Sequence, residues 1–508
     1  MSDQADRRLT RRALLLRRRV AALLLSATVL LGFAMSASGG SSSSGPVLAE
    51  LTVTLDTRHP GRPVAPGYLG LSFELSSAGQ LAALADRGDL AGLLRSLGPG
   101  ILRLGGASAD TRAAWRDAQT PLPAWASAVV DPQTLLGIAR LAARSNWRVL
   151  LTIGLVHFDP RSAAREAAAA RAILGPRLAG IEIGNEPDSY ARHGLRAAPW
   201  NRARYESQVS AYRRAIAKSA PGIALAGPGV SGSRAFQRWG PAEVRAQHPQ
   251  LLTGHHYPLR CDAVPAPSSE ELLSPGTRAL EGRSLTRFLS VARASSIRFR
   301  MDETNTVSCG GRPGISNTFA AALWAVGYIG QTLAAGASGV NLQGNPGNCF
   351  GYSPICATSA EMLARGELRA QPQWYGLLLM RSLQGMRPLR TTLTSPQEAN
   401  ISVTALHGRD GGLRFLIADD EPAGAPPTLI RLSVGGRYRT GSVLTLAASS
   451  PGSVSGVTLG GRTVAGDGSW HGPAQQPRLP VHGGVLTLEL APARAALVTV
   501  VPTRGRGR

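Results

Sequence analysis

The sequence predicts an α/β protein: a (β/α)8 barrel joined to a smaller antiparallel β domain, read here as a β-sandwich. Three observations predict it. From Tyr68 onward, short apolar runs alternate with Ala-rich stretches, the rhythm of parallel strand–helix units. Eight such runs occur, near 68–75, 100–106, 148–155, 178–186, 223–230, 251–258, 297–303 and 339–344, the number that closes a barrel. After Arg390 the pattern becomes short alternating runs separated by Gly, Pro and Asp, as in a sheet with one buried face.

The chain begins with a segment of another kind. Residues 7–19 hold seven Arg, Val20 to Ala37 is mostly apolar, and small residues follow from Ser38. A basic region, an apolar region and small residues make an export signal, or else an N-terminal membrane anchor. Residues 1–45 are therefore set apart as signal or anchor plus a Ser/Gly linker. The expected location is secreted, or anchored with the folded part outside. Leu51 to Leu55 alternates as a strand before Pro60, Pro63 and Pro66 break it. It precedes the barrel and must pair elsewhere. The domain limits expected are 66–385 for the barrel, and 46–65 with 386–503 for the β domain.

The helices between strands include 161–173, 201–220 and 316–335. The C-terminal strands fall near 401–406, 413–418, 428–433, 441–446, 455–458, 485–490 and 496–501. A chain of 508 residues exceeds one ordinary core, in keeping with two domains.

The net charge is +23, and Lys218 is the only lysine. Outside the N-terminus there is no cationic run that would track a phosphate backbone, so no nucleic-acid partner is expected. An anionic saccharide would suit the charge. The four cysteines are Cys261, Cys309, Cys349 and Cys356. An even count in an exported chain reads as disulfides. Cys261 and Cys309 follow neighbouring strands, and Cys349 and Cys356 share one loop. None has metal-ligand spacing, and neither metal nor cofactor is expected.

The chemistry is carried by two strand ends. Ile181-Glu182-Ile183 stops at Gly184, and Asn185-Glu186-Pro187-Asp188 follows. Phe299 and Met301 alternate with Arg298 and Arg300 before Asp302-Glu303. The separation of Glu186 and Glu303 leaves room for three further strand–helix units. The two acids then end the fourth and seventh strands of one barrel. Strand ends are where a barrel places its chemistry. Two carboxylates about 5–5.5 Å apart are what double-displacement cleavage of a glycosidic bond requires. In that pattern one acid protonates the leaving oxygen and the other attacks the anomeric carbon.

Asn185-Glu186 and Glu303 resemble the acid/base and nucleophile of the clan of barrel glycosidases with acids on strands four and seven. More narrowly, the chain resembles glycoside hydrolase family 79, the β-glucuronidase and heparanase group. The residues that carry this are Leu102-Arg103-Leu104-Gly105-Gly106, Asp110, His255-His256-Tyr257, Cys309-Gly310-Gly311 and Asn317-Thr318-Phe319-Ala320. The likeness spans roughly residues 50 to 500. It implies an acid at Glu74 for substrate hydroxyls, and backbone amides of Gly310 and Gly311 for a uronate carboxylate. Relatives in the group carry a Tyr where this chain has Ser308.

From the residues themselves, Asp110, Asn185 and Tyr352 are candidates to line the sugar site. Tyr257 can donate to the nucleophile. Arg103 and His256 are expected in support. The expected partner is a glycoside or saccharide containing glucuronic acid. The alternatives are a retaining β-glycosidase for neutral sugars and a non-catalytic carbohydrate-binding barrel.

Overall fold

A computed structural model of the chain describes residues 49–396 and 398–502. The expected signal or anchor at 1–45 lies outside the described residues. Among the described residues, no helix is long and apolar enough to cross a membrane.

Eight parallel strands close into a barrel: Leu69–Glu74, Ile101–Gly105, Arg148–Ile153, Leu178–Ile183, Leu225–Val230, Leu251–His256, Arg298–Thr304 and Val340–Gly344. Each lies within a few residues of its sequence expectation. The closure is direct, with Val340 in register with Leu69. Residues 178–186 were read as one strand; it stops at Ile183, because Gly184 takes φ 77° and Glu186 takes φ 51°.

The helices obey local rules. In Pro132–Ser145, Asp131 accepts from Thr134 N at 2.9 Å, Pro132 occupies the first turn, and Asn146 ends the helix in the left-handed conformation. Leu135, Ile138 and Leu141 face inward at 1% exposure or less. Each such side chain contributes about 1.5–3 kcal/mol.

The second domain departs from the expected sandwich. Its nine main strands form one sheet that closes on itself instead of two separate sheets. Tyr438–Ala447 explains this. Its ten residues pair with Arg478–His482 and also with Arg494–Pro502, so what would be two open edges are joined. Alternation could not distinguish the two, because both need one inward apolar face. The N-terminal strand Ala49–Asp56 sits in this sheet, antiparallel to Arg387–Thr394 and parallel to Thr428–Ser433. Its Leu51 and Val53 enter a core with Phe415, Ile417, Leu432 and Val498. Arg387–Thr394 and Arg478–His482 are strands the sequence pattern missed; both are largely exposed and carry Pro and Arg.

The two domains share helix Phe319–Ala335, which has no charged residue and is buried on nearly every side. A Cβ at Gly330 would lie 2.7 Å from Thr404 Oγ1 of the C-terminal sheet, so glycine allows the close approach. The side chain of Arg278 reaches Asn400 at 2.8 Å and also Asp420.

Both disulfides form. Cys261–Cys309 joins the loops after the sixth and seventh barrel strands, and Cys349–Cys356 closes the loop after the eighth, with Cα separations of 6.0 and 5.4 Å. Each such link is typically worth about 2–4 kcal/mol.

Candidate active site

The barrel interior is polar, and Arg103 is its centre. It projects inward from the second strand and is fully buried. Its guanidinium meets Glu182 Oε2 at 2.9 Å, Asp302 Oδ2 at 2.9 Å and Glu303 Oε2 at 2.7 Å. It also donates to Ser72 Oγ at 3.2 Å and Asn185 Oδ1 at 3.0 Å. A buried cation of this kind is tolerable only when every donor is matched.

Three acids around one guanidinium leave an excess of negative charge. It is relieved by a proton. Burial and the charge of Glu182 hold Asp302 well above the carboxylate range. Burial would also raise Glu182, but the Arg103 charge, His255 and hydrogen bonds bring it down to about 2. Asp302 thus keeps the proton and Glu182 the charge. Glu182 accepts from Thr152 at 2.8 Å and Thr253 at 2.6 Å.

Glu303 stands above this layer. A strand of period two would turn Asp302 and Glu303 to opposite faces, but the pairing shifts between Met301 and Glu303. That irregularity lets both acids face inward, as bulges near active sites do. Tyr257 donates to Glu303 Oε1 at 2.9 Å and Arg103 to Oε2. Burial opposes ionisation, but His255, Arg103 and Tyr257 hold the carboxyl below its ordinary value.

Glu186 follows the fourth strand, in a left-handed conformation at φ 51° that is uncommon for Glu. Its N–H donates to Gly229 O at 2.8 Å. His255 Nδ1 lies 3.0 Å from Glu186 Oε1 and 3.9 Å from Glu303 Oε2. Burial disfavours a charged His255, but Glu303 and the bond to Glu186 raise it to about 9. One oxygen each of Glu186 and Glu303 and one ring nitrogen of His255 all lie within 4.8 Å of one another.

The other expected residues divide. Asn185 accepts from Arg103 through Oδ1 and makes no hydrogen bond through Nδ2 among the described residues. Glu74 lies at the mouth, accepting from Ser108 N at 2.8 Å, and burial raises it. A Cβ at Gly106 would lie 2.4 Å from its Oε1, so only glycine fits beneath that carboxyl. Tyr352 stacks on Tyr257 with ring centroids 5.7 Å apart.

Two expectations are corrected. Asp110 does not face the mouth. It is 1% exposed and accepts from Leu155 N, Val156 N, Asn185 N and Tyr190 Oη, which uses both oxygens. It fixes the turn that carries Asn185. His256 points out of the barrel, stacked on Tyr328 and near Ser284. On a strand, alternate residues share a face, so Thr253, His255 and Tyr257 line the interior and His256 cannot.

Gly310 and Gly311 do adopt positive φ, 93° and 90°. However, Gly311 N–H donates to Ser308 O at 3.3 Å, and Gly310 O accepts from Tyr352 N at 3.1 Å. Of these two amides, only that of Gly310 is without a partner among the described residues. Ser308 Oγ accepts from Cys261 N at 3.1 Å.

Glu182 and Asp302 were missed as site residues, and of the rings that end the sixth strand it is His255, not the expected His256, that joins the site. A signal existed for Glu182: a lone acid between Ile181 and Ile183 in a barrel strand must face the interior and find a cation.

Fold and site together define a (β/α)8 barrel with carboxylates at the ends of the fourth and seventh strands. No protein-family profile matches the chain. It is similar to a β-glucuronidase of Neurospora crassa, 25% identical over 213 residues, a stretch covering 38% of each chain. The chain thus spans well under half of that curated relative. Among solved structures it is similar to a 4-O-α-L-rhamnosyl-β-D-glucuronidase from Fusarium oxysporum 12S, with a TM-score of 0.69 and 20% identity over 89% of this chain and 100% of that one. A family 51 arabinofuranosidase from Xanthomonas axonopodis pv. citri superimposes with a TM-score of 0.66 and 14% identity, again over 89% and 100%. At these identities the structural likeness is one of fold.

The buried acids give a pH signature. Burial raises Glu166, Glu243 and Glu281 each to about 8. With His255 at about 9, four groups keep a proton that the unfolded chain has released. Stability is therefore lost as pH rises through each interval between unfolded and folded values. Glu182 acts oppositely: its contribution is lost as pH falls toward 2. We expect the urea midpoint to be highest near about pH 4.5–6 and to fall toward pH 9. A midpoint that climbs from pH 5 to 9 contradicts this reading.

Proposed function

We propose that the chain is an exported retaining glycoside hydrolase that cleaves β-D-glucuronides. The observation that carries this is the constellation of Glu186, His255 and Glu303, with oxygens of the two acids within 4.8 Å. Inverting enzymes need about 6.5–9.5 Å between carboxyls to admit a water; retaining enzymes need about 5–5.5 Å.

The residues then divide the work. Glu303, kept ionised by Arg103, Tyr257 and His255, attacks the anomeric carbon. The bond to the aglycone oxygen breaks, and Glu186 gives that oxygen a proton. Water then attacks the glycosyl ester, Glu186 takes its proton, and Glu303 leaves. Asn185 Nδ2 and Glu74 are free to bind sugar hydroxyls. Arg103 holds the nucleophile from below and does not touch the sugar. None of these steps requires a metal or cofactor. Export is supported by the basic and apolar N-terminal sequence and by the two disulfides.

For the uronate carboxylate, the donors within the same loop pair are Gly310 N–H, the Ser308 hydroxyl and the Tyr352 phenol. The likeness to the Neurospora β-glucuronidase supports this choice. A second reading is a retaining β-glycosidase for neutral sugars, favoured by the Gly311 amide already being bonded to Ser308 O. The test is the ratio of kcat/KM for a nitrophenyl β-glucuronide and the matching β-glucoside. Charge-assisted hydrogen bonds contribute about 1.5–3 kcal/mol each, so the glucuronide is expected to win by at least about ten-fold. Equal rates, or preference for the glucoside, overturn the uronate reading and leave the neutral one.

A further inference from the structure

A cavity separate from the catalytic acids lies on the same face of the barrel. Its volume is about 370 Å³, within the range that takes a small molecule, about 300–1000 Å³. Its walls come from the segments after the second and third barrel strands, with Tyr212 added from the helix after the fourth. Neither Glu186 nor Glu303 lines it. It is nevertheless adjacent to the active site, because Asp110 forms part of its wall and also holds Asn185 N.

Three features of its lining are unusual. The first is aromatic: Trp115, Trp125, His157 and Tyr212 all border it, with Trp125 and His157 stacked 3.8 Å apart. The second is Glu166, which is 5% exposed and borders the cavity without a hydrogen bond; its Oε1 is sealed and has no partner. The other two glutamates that burial raises to about 8 differ, since Glu243 accepts from Tyr205 and Glu281 from Trp324. A carboxyl so placed is costly unless a ligand supplies hydrogen bonds. The third is Arg165, whose Nε donates to Thr120 Oγ1 at 2.7 Å while its guanidinium borders the same space.

We propose that this cavity is a secondary saccharide site that takes one uncharged sugar ring, separate from the ring that reacts. Aromatic side chains match the apolar face of a sugar, and a few convergent polar groups match its hydroxyls. Burial alone raises Glu166 to about 8, so near neutral pH it carries a proton, and with Oε1 sealed it is Oε2 that can meet a sugar hydroxyl. Arg165 is paired with Asp117 at 3.5 Å and Asp159 also borders the space, so the lining holds both signs of charge and suits an uncharged ring. The proposal extends the reading of the chain as acting on saccharides, and its test is kept separate from hydrolysis.

The full chain is titrated with glucose, xylose and galactose, each a free monosaccharide, by calorimetry and tryptophan fluorescence. At least one is expected to bind saturably and to change the fluorescence. Trp125→Ala and Glu166→Leu are expected to weaken that binding at least ten-fold. Glu166→Gln, which keeps a donor and an acceptor, should stay within about three-fold. Thermal melts establish that each variant is folded, and the half-buried Trp125 gives a test independent of Glu166. Absence of binding in the wild type overturns the site. So does equal binding by wild type, Trp125→Ala and Glu166→Leu, which would place the sugar elsewhere. So does glucosamine binding more than ten-fold tighter than glucose, which would mark a cation site. Failure to hydrolyse any aryl glycoside with sugar binding intact overturns the proposed function alone.

Discussion

Replacing Glu303 with Ala should lower kcat/KM for an aryl β-glycoside by at least about 10⁴-fold, the scale seen when a covalent nucleophile is removed. The fold should survive. Glu303 is one of three acids on Arg103, and the charged Glu182 and the protonated Asp302 remain around that cation. The loss is therefore expected in kcat, with an unchanged melting transition. Azide, which can attack the anomeric carbon from the vacated face, should restore turnover and give the product of opposite anomeric configuration. Wild-type turnover in Glu303→Ala would remove it from the chemistry. Loss of activity through unfolding would show as a changed melt.

The second large effect is on stability. Arg103→Met removes the guanidinium that Glu182, Asp302 and Glu303 share, all buried in the barrel, and leaves His255 as the cation beside them. Breaking a buried charge network by deleting one partner costs about 3–5 kcal/mol. The cost arises from stranded carboxylates, so it should shrink as they are protonated. Denaturant midpoints for wild type and Arg103→Met should diverge at pH 7 and approach each other at pH 4. A constant difference at both pH values would mean that Arg103 acts through packing alone. Activity should fall too, because Glu303 loses one of the three groups that hold it ionised.

The fold was legible where the sequence has a strict period. All eight barrel strands and the helices read from Ala-rich stretches appear close to their expected positions. The closure of the C-terminal sheet was not legible, since it depends on a long strand, Tyr438–Ala447, serving two partners. Residue pattern reports which face is buried and says nothing about which edge meets which.

The site was legible in proportion to its distance from strand ends. Glu186, Glu303, Asn185 and Tyr257 stand where strands stop and turn residues begin, and these the sequence marks. Asp110 was misread because a carboxylate near Gly-Gly looks available, whereas its partners are backbone amides from loops far away in sequence. His255 and His256 are adjacent, and only the inward phase of the strand, set by Thr253 and Tyr257, tells them apart. The layer beneath the catalytic acids is the least visible part. Asp302 faces inward beside Glu303 only because the strand pairing shifts there, and no residue type announces that irregularity.

The most direct measurement is the anomeric configuration of the first-formed sugar, followed by proton NMR during hydrolysis of nitrophenyl β-D-glucuronide. Two displacements at one carbon restore the starting configuration. The β-anomer of glucuronic acid should therefore appear first, with the α-anomer growing later by mutarotation. If the α-anomer appears first, water attacks directly and Glu303 is not a nucleophile.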